Sequence, residues 1–368
     1  MSVNRIKALV AAVALGASGG LLWAADPLDP PMAAPKPLPS AQSQAPTVQQ
    51  TLVDNHACPD HGCTRLYGSA EVLWLRRTDS RRENLTFNDT PAFLLSSDQG
   101  EFDWEIGGRF LVGMFLDNNN SLEAMYFGLQ TWGKSAFVTN INETLQPYWG
   151  QFGVRGGLDD SAFTDAFAHG FQYESRLHNG EINLRHWYNS CLSTLAGIRY
   201  LNVRDKFWFG SLDDISAVPF GPCSGLYEVR TKNNLLGLQL GADAAYPLLC
   251  DTLRVGVRGK TGLFLNFAEQ SSRFLNIPTE GEGRTTDERT DEDGVRLAGV
   301  IEVGAYATYW ITKNIAIRGG YDLIYVAGLA LAPENLDNSP LPLNARRNLK
   351  DNGDIIYHGP SVGIEVRW

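Results

Sequence analysis

The sequence predicts an all-β protein: a single antiparallel transmembrane β-barrel of about 10–12 strands, preceded by a disordered Pro-rich segment. Three observations predict it. An export-type leader opens the chain. Strict alternation of apolar and polar residues returns many times between residue 66 and the end. No run after residue 25 approaches the ~20 apolar residues that a membrane-spanning helix needs.

The leader is residues 1–25, MSVNRIKALVAAVALGASGGLLWAA. Arg5 and Lys7 form a positive start, Ala8 to Leu22 an apolar stretch, and Ala24 and Ala25 a small-residue end. This is the pattern of a secretory signal peptide. Gly16, Ser18, Gly19 and Gly20 soften the apolar run, which argues against a retained anchor. No cysteine lies near the cleavage region, which argues against a lipoprotein. The whole chain carries a net charge of −10, and the leader holds two basic residues and no acidic one. The exported chain is more acidic still, so nucleic acid is excluded as a nonspecific partner.

Residues 26–65 read as a Pro-rich spacer with a short Cys-containing segment. Proline and alanine dominate DPLDPPMAAPKPLPSAQSQAPTVQQ, which has no apolar period and cannot build a core. HACPDHGC follows, with Cys58 and Cys63 flanked by His56 and His61. An exported compartment favours a disulfide there over zinc, whose usual ligand spacing is absent. Cys191, Cys223 and Cys250 complete an odd set of five, so at least one is unpaired within a monomer and the pairing stays open.

The barrel is expected over 66–368. Its first strand is LYGSAEVLWLRR, with Ala70, Val72 and Trp74 opposite Ser69 and Glu71. FDWEIGGRFLVGMF (102–115) sets Trp104, Ile106, Phe110, Val112 and Met114 against Asp103, Glu105 and Arg109. Strands over 122–132, 181–187, 192–203 and 232–246 come next, with weaker stretches near 148–155 and 168–178. In 252–267, Leu253, Val255, Val257, Thr261, Leu263 and Leu265 oppose Arg254, Arg258, Lys260 and Asn266. In 295–310, Leu297, Ile301, Val303, Ala305, Ala307 and Tyr309 oppose Arg296, Glu302, Tyr306 and Thr308. Over 315–326, Ile315, Ile317, Tyr321, Leu323 and Tyr325 oppose Arg318 and Asp322. The last strand is DIIYHGPSVGIEVRW. Many of these runs exceed the ~5–6 residues of an ordinary strand and suit tilted membrane strands of about 9–11.

A barrel is favoured over two packed sheets by its polar face. Charges of both signs recur there at matching depths, Glu302 with Arg318 and Asp322, and Glu365 with Arg367. Tyr309, Trp310, Tyr325, Trp74, Trp208 and Trp368 stand at strand ends, as an interfacial aromatic belt does. Closure also leaves no unpaired strand edge in hydrocarbon. At the very end, Ile364, Val366 and Trp368 share the outward face, the form of a terminal signal for barrel assembly machinery.

These features together resemble a known family. The leader and Pro-rich spacer, the opening YGSAEVLWLRR, the middle LAGIRYL, and the closing IRGGYDLIYVAGLALAPENL and IIYHGPSVGIEVRW are similar to beta-barrel porin family seven, a planctomycete-type group of outer-membrane barrel proteins. The resemblance implies a place in the cell outer membrane more firmly than it implies conduction, and it implies no catalytic residue.

No enzyme is expected. The chain has no nucleophile elbow, P-loop, dinucleotide fingerprint or zinc-protease helix. GEGRTT lacks the P-loop lysine, and His169, His178, His186 and His358 have no assignable acid or nucleophile partner. No cofactor and no metal are expected. EGEGRTTDERTDED (280–293) carries seven acids but not the calcium-loop spacing, and reads as a solvated mobile loop. Arg76, Arg77, Arg81 and Arg82 read as a basic cluster at the rim or a solvated one. The proline after His358–Gly359 removes a ladder donor and predicts a bulge or distortion there.

The leading functional expectation is a porin-like passive channel for small polar solutes or ions. Its wall would carry Arg254, Arg258, Lys260, Glu302, Arg318, Asp322, Glu365 and Arg367. The alternatives are a non-conducting structural or surface-interaction barrel, and a soluble secreted β-sandwich binding module. For the barrel, the expected partners are outer-membrane lipids, the barrel assembly machinery and small polar solutes.

Overall fold

The alternation resolves into thirteen strands in a computed structural model, which describes residues 66–88, 93–148, 161–212, 225–249, 252–277, 285–336 and 349–368. The predicted signal peptide and spacer lie outside the described residues, as do Cys58, Cys63, Cys223 and Cys250. Cys191 is a free thiol.

In chain order the strands are β1 (Leu66–Arg77), β2 (Asn84–Phe87), β3 (Phe93–Ser96), β4 (Glu105–Phe115), β5 (Asn120–Thr139), β6 (Gln146–Pro147), β7 (Ala168–Trp187), β8 (Leu192–Leu212), β9 (Gly225–Leu248), β10 (Leu253–Asn276), β11 (Thr286–Trp310), β12 (Ile315–Leu329) and β13 (Gly353–Arg367). Ten of them close a barrel in the order β1-β13-β12-β11-β10-β9-β8-β7-β5-β4, every pair antiparallel. β3, β2 and β6 make a separate small sheet. The two stretches expected separately at 168–178 and 181–187 are one continuous strand, β7, because the inward residues keep one parity from His169 to Arg185.

One end of the barrel carries short turns and both ends of the described chain. Three of these turns use the same device. Asp117 accepts the amides of Asn119 and Asn120, both at 2.8 Å. Asn189 accepts those of Cys191 and Leu192, both at 2.8 Å. Thr312 accepts those of Asn314 and Ile315 at 3.2 and 3.0 Å. Side chains that bond the backbone two and three residues on pin a tight reversal. The same bonds, with one from the Asn120 side chain, hold the Asp117 carboxyl below its usual range. The other end carries the long connections.

The outward face is apolar over a belt. On β10 it reads Val255, Val257, Gly259, Thr261, Leu263, Leu265, Phe267. On β9 it reads Leu248, Tyr246, Ala244, Ala242, Leu240, Leu238, Leu236. Large apolar side chains lie exposed all round this belt, among them Ile106, Phe110, Ile182, Ile198, Leu238, Leu263, Leu297 and Ile364. Thirteen residues at ~3.4 Å per residue, tilted by about 40°, span roughly the 30 Å of a hydrocarbon core. Tyr188, Tyr246, Tyr309 and Trp368 stand exposed at the turn end of the belt. Trp310 departs from the expected aromatic belt: it lines the interior, with Arg367 4.1 Å over its ring. Trp208 also departs, lying beyond the apolar belt on the long β8 with Lys206 3.7 Å over its ring.

Three other expectations are corrected. The acidic stretch is not a free loop over 285–293: Asp287 to Asp293 belong to β11 and pair with β10, because the hairpin continues well past the belt. Residues 280–284 of that stretch lie outside the described residues. The four arginines are not one surface cluster. Arg77 points inward and is fully buried beside Asp205, whereas Arg76 pairs with Glu101 and Arg82 with Asp98. Pro360 interrupts the ladder with β1 without making a bulge. β13 keeps one register with β1 on both sides of a short gap between Leu73↔Ser361 and Arg76↔His358. Pro360 has no N–H to give the ladder there, and Gly359 lies too close to the Trp74 carbonyl for any side chain.

Candidate functional site: the barrel interior

Parity decides what enters the lumen. All eight charges expected to line it face inward. Arg254, Arg258, Lys260, Arg318, Glu365 and Arg367 border a turn-end cavity of about 130 Å³, and Glu302 and Asp322 are buried deeper. The alternation of β1, β4, β7 and β8 adds Glu71, Arg109, Glu181 and Arg199; the sequence sets Glu71 and Arg109 on polar faces, but none of the four was among the expected lumen charges. Their signal is the same alternation, carried there by no more than two charges on each inward face.

These side chains meet across the lumen. Arg109 donates to Glu71 at 3.0 Å and to Asp322. Arg258 donates to the other oxygen of Asp322 at 2.6 Å. Arg199 reaches Glu302 at 3.0 Å and lies 3.5 Å from Glu181. Lys260 joins the same two carboxylates, Glu181 at 3.0 Å and Glu302 at 3.6 Å. Gln239 donates to Glu181 at 2.7 Å, and Asn179 accepts from Arg199 at 2.6 Å. Four cations thus meet four carboxylates in one layer, and the charge cancels. Cancellation is what a buried charged layer requires, because unpaired ions in low dielectric cost several kcal/mol each.

Toward the turn end one tight pair and one loose set follow. Arg185 grips Glu123 with two bonds of 2.7 and 3.0 Å, and Tyr67 donates to the same carboxylate at 2.6 Å. Arg318 sits 3.8 Å from Glu71 and 3.6 Å from Glu365. Both cations border the cavity.

Toward the loop end the lumen turns apolar. Leu73, Leu75, Phe127, Trp132, Leu201, Val203, Leu235, Phe264, Val300 and Val326 form one buried cluster. Above them the segment following β12 folds inward. Every residue from Leu329 to Leu336, the run LALAPENL, is buried. Gly328, at φ +85°, lets the chain leave the strand; a side chain there would lie 2.9 Å from the backbone of Leu297 and Ala298. Asn233 then holds Ala330 from both sides, donating to its carbonyl at 2.8 Å and accepting from its amide at 2.7 Å. Asn335 secures the far end through the Lys350 backbone, with two bonds of 2.8 Å.

A second cap closes the loop end. Phe163 stacks between Phe209 and Phe274. His169 bridges the Phe163 carbonyl at 3.0 Å and the Thr86 hydroxyl at 2.9 Å, tying β7 to the small sheet. Burial pushes this imidazole down to about 3, so it is neutral at ordinary pH. Of the other expected histidines, His178 and His358 face outward, to the hydroxyls of Tyr126 at 2.8 Å and Tyr321 at 2.7 Å. His186 faces Asn120 at 2.9 Å. Among the described residues no three metal-ligating side chains cluster.

No family model and no curated protein matches the chain, so the resemblance to beta-barrel porin family seven finds no match there. Among solved structures the chain is similar to the outer membrane protease OmpT from Escherichia coli, at 12% identity and a TM-score of 0.45, covering 84% of this chain and 99% of that one. It is similar to the toluene transporter TodX of P. putida at 9% identity and TM-score 0.26, covering 86% and 92%. It is similar to Ail, the attachment invasion locus protein of Yersinia pestis, at 7% identity and TM-score 0.23, covering 82% and 99%.

Proposed function

We propose that the chain is an outer-membrane barrel with a sealed lumen, a non-enzymatic scaffold that presents its loop-end surface. The observation that carries this reading is the interior itself. A neutral charge layer bridges strands three apart around the ring, and the apolar layer and the Leu329–Leu336 segment stack on it. A conducting pore keeps a continuous wet path, and stacked buried layers of this kind oppose one. The membrane placement is supported by the exposed apolar belt, whose height matches a bilayer, and by tyrosines and a tryptophan at its turn end. The short turns then face the periplasm and the long connections face outward.

The porin-like reading is the second. The cavity at the turn end favours it, because Arg254, Arg258, Arg318 and Arg367 there give small anions an entrance. It requires the Leu329–Leu336 segment and the apolar layer to part.

Recording from the purified, folded barrel in planar bilayers separates the two. The sealed reading expects no discrete steps from protein shown to be folded by heat-modifiable gel migration. Steps whose ion preference changes in Arg254→Glu or Arg258→Glu would replace it with the diffusion channel.

A further inference from the structure

From the outer surface of β7, β8 and β9 we infer that the barrel binds the phosphate of a lipid head group in the outer leaflet, through Arg176, Arg204 and Lys232. The inference rests on the outer-membrane placement proposed above.

Just above the belt the outward face changes character within two rungs. The last large apolar residues are Ile182 on β7, Tyr200 on β8 and Leu236 on β9. Next comes an uncharged polar rung, in which His178, Asn202 and Asn234 stand side by side. Tyr200 donates its hydroxyl to Asn234 at 2.8 Å, and Asn202 donates to the same oxygen at 2.9 Å. This is the amphipathic layer expected where hydrocarbon gives way to head groups.

One rung further the register aligns Arg176 with Arg204 and Arg204 with Lys232. Three cations therefore lie abreast on adjacent strands. Like charges directly opposite destabilise a sheet unless an anion lies between them. Lys232 finds Glu269 at 3.3 Å. Among the described residues Arg176 and Arg204 have no carboxylate partner, although both are exposed. The rung beyond brings Glu174 abreast of Lys206 and Arg230, and those two cations share Glu228 at 3.4 and 2.7 Å. Together these side chains line one wall of a surface groove that Asp291 and Asp293 of β11 border on the other side.

Two guanidinium groups in register match a phosphate, which accepts paired N–H bonds from each. Location selects the source of that phosphate. The pair faces away from the lumen and sits directly over the apolar belt, so a lipid lying along Ile182, Ile198 and Leu238 carries its head group to this height.

The test uses the full-length mature barrel, wild type and Arg176→Gln/Arg204→Gln, inserted into phosphatidylcholine vesicles with or without a bis-phosphorylated glycolipid. Lipid retained through detergent extraction is weighed by native mass spectrometry, and the heat-modifiability midpoint is read in parallel. The expected result is that wild type retains the glycolipid and gains thermal resistance from it, with retention about tenfold lower in the double variant. Arg273→Gln/Arg289→Gln, which removes exposed charge from β10 and β11, should behave as wild type. Equal retention by wild type and the Arg176/Arg204 variant would overturn the site while leaving the membrane placement standing. Protection of the detergent-solubilised protein by inorganic phosphate alone, equal to that from the glycolipid, would overturn the lipid assignment. Failure to insert even into plain phosphatidylcholine would overturn both.

Discussion

Arg109 on β4 and Asp322 on β12 bond to each other in the lumen, although β1 and β13 separate their strands around the wall. On the other side Arg199 on β8 meets Glu302 on β11 past β9 and β10. These two chords make the interior a cross-braced solid at that level. A chord differs from a neighbouring-strand pair in one respect: it resists opening of the barrel as well as slippage of a ladder.

The first prediction concerns the chord. Asp322→Asn removes the carboxylate shared by Arg109 and Arg258, leaving Arg109 with Glu71 and Arg258 without its close partner. Breaking a buried pair on one side costs about 3–5 kcal/mol. Urea unfolding in vesicles should show a loss of that order. Arg258→Met/Asp322→Asn, which also deletes the stranded cation, should recover part of it. A double variant as unstable as the sum of the singles would show that the pair is not coupled.

The inward segment gives the second prediction. Asn233→Ala deprives both backbone groups of Ala330 of their partner inside the barrel. Each buried unsatisfied group costs about 1–3 kcal/mol. The amides of residues 330–336 should exchange with solvent at least tenfold faster in the variant, while the belt strands stay protected. Unchanged exchange would mean that the segment is held elsewhere.

Much of this architecture is legible in the sequence. Strand parity alone turns Arg258, Lys260, Glu302 and Asp322 inward, because a period of 2 leaves no other face. The partners are not legible. Glu302 reads as a neighbour of Arg318, yet it bonds Arg199 and Lys260, because strand order and stagger around a closed ring set which depths coincide. The sealing segment is invisible for a different reason. Leu329 to Leu336 has no period, and only the glycine at position 328 marks where the chain turns in. The basic rung of Arg176, Arg204 and Lys232 is spread over three strands and becomes a patch only once their register is known.

Acid should loosen the loop-end cap. His169 is neutral in the fold, with its pKa about 3, and free histidine titrates near 6.5. Below about 6.5 the unfolded or locally opened state takes up a proton that the folded state refuses. Stability of the cap is therefore full above that value and falls as pH drops toward 3. Hydrogen exchange at Phe163 and His169, measured between pH 7 and pH 4 and corrected for intrinsic rates, should report progressive opening. His169→Gln should flatten the dependence. An equally steep profile in that variant would assign the effect to other groups.

The last prediction concerns closure of the ring. Trp368 and Leu66 exchange two backbone hydrogen bonds, of 2.9 and 3.0 Å, and so join the end of β13 to the start of β1. The indole itself faces outward and is exposed, in line with Ile364 and Val362 on the same strand. Two changes separate these contributions. Deleting Trp368 removes the backbone pair and the ring together. Trp368→Asp keeps a backbone able to pair and removes only the ring, placing a charge at the edge of the apolar belt. In cells, both should lower the heat-modifiable fraction in the outer membrane without reducing export across the inner membrane. In purified refolding into vesicles, the deletion should slow closure more than the substitution, because only the deletion shortens the ladder. If Trp368→Asp refolds well in vesicles yet fails in cells, the ring acts as a signal to assembly machinery. If both variants reach wild-type levels in the outer membrane, the terminal residue serves neither purpose and β13 is held by its remaining register with β1 and β12.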